Sequence, residues 1–151
     1  MLIAESSGGV SLLRPEDWAV VPSPDVELVI AAPPAQWLGE DGFRPNVTVT
    51  SFPFPGSAAQ LSTTVLASLL ASLTDPFLVS VELVPDAEAE RRIEYTHLGS
   101  GGSIHCVSQL LLHEDEACVV TSSCASGQLS AYEGILDLIL ASATQKGFLN
   151  G

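Results

Sequence analysis

The side chains best suited to chemistry are three histidines, His97, His105 and His113, and three cysteines, Cys106, Cys118 and Cys124. Zinc needs three or four converging ligands, usually drawn from close pairs such as Cys-x-x-Cys or His-x-x-x-His. No such pair occurs here, so no metal site is expected. His113-Glu114-Asp115-Glu116 is rich in ligand types, but it lies between two strand-like runs. At a hairpin tip its side chains diverge into solvent. A nucleophilic hydrolase would carry a G-x-S-x-G elbow or a serine with recognisable histidine and acid partners, and neither is present. One assembled only by folding would need a serine within hydrogen-bond reach of His97 or His105 in a cleft. Gly99-Ser100-Gly101-Gly102 joins two strand-like runs and opens no helix. It reads as a turn rather than a phosphate-binding loop. No catalytic residue and no cofactor are expected.

Binding chemistry has more to work with. Arg44, Pro45 and Asn46 stand at the entrance to a strand, where an arginine fork can hold a carboxylate. The competing role is structural: Arg44 pairs with Glu40 or Asp41, Pro45 fixes the chain direction and Asn46 bonds neighbouring backbone. Trp37 and Phe54 fall in Pro/Gly-rich loops, whereas Trp18 and Phe52 fall in strands and belong to the core. Trp37, Arg44, Asn46 and Phe54 are therefore the expected interaction surface. Packing of the two loop aromatics over a sheet edge is the alternative. Asn46-Val47-Thr48 also matches the glycosylation pattern, which inside a strand reads as coincidence. A loop centred on Asp115 would set Cys106 opposite Cys124 on one face. That leaves a buried thiol pair and a disulfide both open. An odd cysteine count without Cys-x-x-Cys favours a reducing compartment.

These residues must be positioned by short elements that Pro, Gly and Ser clusters punctuate. Trp18 to Val21 and Val26 to Ala32 read as strands closed by prolines. Asn46 to Phe52 alternates with period two, placing Val47 and Val49 on one face and Thr48 and Thr50 on the other. Ser57-Ala-Ala-Gln60 is a capping box opening an amphipathic helix with Leu61, Val65, Leu69 and Leu73 on its stripe, widened by Leu66 and Leu70. Phe77 to Val84, Arg91 to Leu98, Ser103 to Leu112 and Ala117 to Cys124 are four further strands whose short connections imply antiparallel pairing. From Gln128 a second helix places Leu129, Tyr132, Leu136, Ile139, Leu140 and Ala143 on one face, with Lys146 in its last turn and Gly147 as its stop. The order β-β-β-α-β-β-β-β-α makes an α+β sandwich of two helices on a mostly antiparallel sheet. Whether the helices cover one face or both is left open by periodicity.

The chain has 151 residues, 46% hydrophobic and 15% charged. That suits a single domain, 1–151, with a core that needs no disulfide. Residues 1–9 are expected to form a flexible N-terminal segment. Eighteen acidic residues against five basic ones give a net charge of −13. Such a surface repels phosphate backbones, so nucleic acid is not an expected partner. No apolar run approaches the roughly 20 residues of a membrane span. The N-terminus lacks the basic and apolar regions of a signal peptide, so the chain as given is expected to be cytoplasmic, an exported form with its leader removed being the alternative.

The stretch VELVIAAPP, then GFRPNVTVTSFPFPG and a capped helix, resembles the LpqN/LpqT-like family of actinobacterial proteins, within the Mog1/PsbP-like superfamily. The matching residues are Phe43, Arg44, Pro45, Asn46, Val47, Val49 and Thr50, and a looser likeness runs through RRIEYTHLG to the final helix. The resemblance implies an α/β/α sandwich and does not imply a catalytic apparatus. Many members are lipoproteins anchored through an N-terminal cysteine, but this chain has no cysteine before Cys106. The expected function is a non-enzymatic interaction domain, adaptor or accessory, with a protein partner or a second copy. The alternative is a small-molecule or lipid carrier with an apolar pocket between helix and sheet.

Overall fold

The structure, a computed structural model, describes residues 1–7, 9–34, 42–83 and 90–145. The expected strands and helices are present, with additions at both ends. The order is β1 (Leu2–Ser7), β2 (Val10–Pro15), β3 (Ala19–Val20), β4 (Leu28–Ala31), β5 (Asn46–Pro53), α1 (Ala58–Ser72), β6 (Phe77–Leu83), β7 (Glu90–Gly99), β8 (Gly102–His113), β9 (Glu116–Ala125), α2 (Leu129–Ser142) and β10 (Thr144–Gln145). A 3-10 turn, Ser126–Gln128, leads into α2.

Seven strands form one antiparallel sheet in the order β3-β4-β5-β9-β8-β7-β6, and β1-β2-β10 form a smaller one. Strand alternation divides the core in two. Val47 and Val49 of β5, with Cys118, Val120 and Cys124 of β9, face α2 and the small sheet, where Leu136, Ile139 and Leu140 meet Val10 and Leu12. Ile93, Tyr95, Cys106 and Leu110 face α1, whose Leu61 is buried and whose Val65, Leu66, Leu69 and Leu73 pack beside it. The helices therefore cover opposite faces, and the architecture is an α/β/α sandwich with the small sheet sharing the α2 layer. Burying both sheet faces explains why β8 is buried continuously from Cys106 to Leu111 rather than at alternate residues.

The expected flexible segment is corrected over Leu2–Ser7, where every residue of β1 pairs with β2. Gly9, at φ +82°, turns the chain between them, a conformation that costs a glycine little. Burial of Val10 and Leu12 anchors the hairpin to the core. The capping box forms as its sequence implies: Gln60 N donates to Ser57 Oγ at 3.1 Å and Ser57 N donates to Gln60 Oε1 at 2.8 Å. It starts the helix that carries the chain from β5, third strand of the sheet, across one face to β6 at the far edge. Lys146 and Gly147 lie outside the described residues.

Candidate functional site

His105 sits on β8 directly across from Cys124 of β9, with Glu94 of β7 on its other side. Glu94 Oε2 lies 2.7 Å from His105 Nε2. A thiol, an imidazole and a carboxylate in a row suggest nucleophilic chemistry, but the environment opposes it. Cys124 is fully buried, and burial, followed by the Cys106 and Glu133 charges, pushes its pKa up to about 11. A reactive thiolate needs the opposite shift. Among the described residues no hydrogen bond joins the His105 ring to that thiol or to a serine, and no serine bonds His97. The carboxylate and imidazole form a cross-strand pair beside α2, with His105 only 12% exposed.

The other thiols are held as polar core groups. The β8–β9 hairpin turns on two residues, Glu114 at φ 49° and Asp115 at φ 63°, as a two-residue loop requires. Its centre lies between them, one step from the expected register. Cys106 is consequently opposite Ser123, while Cys124 is opposite His105, on the other face. The expected Cys106–Cys124 juxtaposition is thus corrected, because a one-residue slip exchanges the faces of a strand. All three cysteines are buried thiols outside any disulfide. Burial raises the pKa of Cys106 and Cys118 as well. Under α1, Tyr95 Oη, Ser108 Oγ and Thr121 Oγ1 form a chain of hydroxyls at 3.2 and 2.8 Å. Tyr95 is pushed up to about 12, chiefly by burial and then by Cys106.

The loop residues singled out from sequence have mixed placements. Arg44 Nε donates to the Ala32 carbonyl at 2.7 Å, and Asn46 Nδ2 donates to the Arg44 carbonyl at 3.0 Å. The first bond ties the approach to β5 to the end of β4, and the second fixes the local turn into β5. Phe54 is half-buried against the α1-side core and meets Phe52 edge-to-face at 6.5 Å. With Pro55, Ala59, Gln60, Thr63 and Thr64 it lines a wide, open groove of about 650 Å³. Trp37, Glu40 and Asp41 lie outside the described residues.

The most exposed apolar surface is elsewhere, on β6. Phe77 is 67% exposed and Leu83 68%, and Leu78, Val79 and Val81 are exposed between them. β6 pairs only with β7, and no other described strand lies along its outer backbone edge. Leu78 and Val81 lie opposite Tyr95 and Ile93, on the α1 face, and Leu83 lies opposite Arg91. Ser80 and Glu82 lie opposite Glu94 and Arg92, on the α2 face, and the register shifts at Val79. The sequence announced this strand but not its place at the edge.

Solved structures of the same architecture exist. The solution structure of cyanobacterial PsbP (CyanoP) from Synechocystis sp. PCC 6803 matches 95% of this chain and 92% of its own, with a TM-score of 0.66 at 17% identity. The fold is Mog1/PsbP-like. LpqN of Mycobacterium tuberculosis, described as involved in cell envelope biogenesis, matches over 95% of this chain and 88% of its own, with a TM-score of 0.67 at 10% identity. A Pseudomonas aeruginosa protein of unknown function matches over 90% and 91%, with a TM-score of 0.60 at 10% identity. No family model and no curated protein matches the sequence. This Mog1/PsbP-like chain has no described helix long and apolar enough to cross a membrane.

Proposed function

We propose that this chain is a non-enzymatic protein-interaction domain, an adaptor or accessory module, whose principal contact surface is the β6 edge. The observation that carries the proposal is the run of exposed apolar side chains on a strand whose outer edge no described strand covers. Such an edge is a template for another chain, and natural sheets normally blunt it. In this reading the loop set around Trp37, Arg44, Asn46 and Phe54 is a secondary patch. The chain is assigned to the LpqN/LpqT-like proteins of actinobacteria on the FRPNV stretch, and the fold of LpqN supports that assignment. The described role of LpqN in the cell envelope favours an exported form, which fractionation of the host would separate from a cytoplasmic one.

Native mass spectrometry of the chain purified gently from its host tests the function. A retained protein, or a dimer, is the expected result, and its loss in Leu83→Lys would place the contact on β6. Retention of a small molecule alone would sink the proposal. It would favour the carrier reading, with the groove beside Phe54 as the site, since 650 Å³ lies in the range of ligand pockets.

A further inference from the structure

We infer that the β6 edge receives an extended, basic strand of another polypeptide, one that alternates apolar and Lys/Arg side chains. The inference rests on the reading of β6 as the contact edge and deepens it by specifying the partner's chemistry. The outer backbone of β6 can extend the sheet by one strand. The incoming side chains would then alternate between the two faces of the sheet, each with its own character. On the α1 face they meet Leu78, Val81 and Leu83, and α1 leaves Leu70 half exposed on that same side. On the α2 face they meet Ser80 and Glu82, with exposed Phe77 opposite Thr96 at the start of the strand, while behind them Glu94 is paired with His105 and Asp137 with Arg92.

Charge complementarity sets the sign. Arg92, opposite Glu82, is already engaged by Asp137 at 3.1 Å. Arg14 is held by Glu5 and the Trp18 carbonyl, Arg44 by the Ala32 carbonyl, and Arg91 also has an interaction within the chain. Every described arginine is thus committed, whereas Glu82 and Asp75 are exposed at the edge and the whole chain carries −13. A second copy would bring Glu82 and the same net charge against themselves, so antiparallel self-pairing is the poorer occupant. An acidic or neutral strand would gain the backbone bonds without the electrostatic steering.

The test uses the full chain and two strand-length synthetic peptides, one alternating valine with lysine and the other valine with glutamate. Binding is followed by nuclear magnetic resonance of the labelled protein, which also locates the contact. The expected result is that the lysine peptide shifts β6 and β7 amides, that its affinity falls as salt is added, and that it binds about tenfold or more tighter than the glutamate peptide. Glu82→Lys, an exposed substitution, is expected to weaken the lysine peptide and leave the thermal unfolding midpoint nearly unchanged. Equal binding of the two peptides, shifts confined to other strands, or a dimer of the chain joined through β6 would each overturn the inference. A natural protein partner retained in native mass spectrometry, with no preference between the peptides, would overturn the inference alone. Absence of both the partner and any peptide binding would overturn the proposed function as well.

Discussion

At one end of the large sheet, β3 offers two residues, Ala19 and Val20, and the chain then leaves through Pro22 and Pro24. At the other, β6 runs for seven residues and exposes five large apolar side chains. Shortness and nearby proline are ordinary ways to deny an edge to a stray strand. β6 has only the irregularity at Val79 and the single charge of Glu82. Among the described residues, the same sheet therefore has one blunted edge and one edge that no other strand covers. The contrast is sharpest against β7, where Ile93 is fully buried and Tyr95 is 6% exposed. The dry interior stops within one strand spacing, about 4.8 Å.

The largest expected effect tests that boundary. Ile93→Ala should destabilise the fold by about 2–5 kcal/mol, because it empties a filled site in the α1-side core. Val81→Ala, directly opposite on β6, should cost less than about 1 kcal/mol in the isolated chain. Urea unfolding of the two variants compares them, and equal losses would mean that β6 is covered in solution.

The next effect is alkaline. Tyr95 has its proton held in the folded state from an ordinary value of 10.0 up to about 12, while the unfolded chain releases it near 10. Between those values the unfolded state binds fewer protons, so stability should fall as pH rises through the window, by on the order of 2 kcal/mol. Tyr95→Phe should flatten that part of the stability profile. A Tyr95 titration near 10 by ultraviolet absorbance would show instead that water reaches one strand further in.

The smallest effect concerns how the chain gets to β6. Ser57→Ala removes the cap of the crossover helix and should cost about 1 kcal/mol in thermal or urea unfolding. The β6 amides are expected to keep their exchange rates relative to β7 in this variant. Selective loss of β6 would show that the edge depends on α1 rather than on its ladder with β7.

Much of this arrangement was legible in the residues. Period-two alternation located β5 and assigned Val47 and Val49 to one face, and Ser57 with Gln60 located the start of α1 to the residue. The β1–β2 hairpin was missed although Val10 and Leu12 alternate after a Gly-Gly pair, because Leu2–Ser7 is half polar. Its burial comes from α2, far along the chain. The cysteine geometry failed by one residue, since hairpin register depends on a loop type that composition alone leaves ambiguous. Strand order was the larger loss for function. The string FLVSVEL reads as a strand anywhere in a sheet, and only the pairing of β7 with β8 leaves it at the rim.

The two-residue strand β10 sets a timetable for the molecule. It pairs Thr144 with Ser11 and Gln145 with Val10, so one edge of β2 gains its partner only after every element from β3 to α2 has been made. At synthesis rates of roughly 5–20 residues per second, the delay between making β2 and making β10 is on the order of ten seconds. Closing so long a loop also carries an entropic cost that local contacts do not. Throughout that interval the β1–β2 hairpin can form, but Val10 and Leu12 have no α2 to cover them. The β1–β2 hairpin is thus exposed until α2 and β10 are made, and the order of synthesis, more than final stability, determines how long.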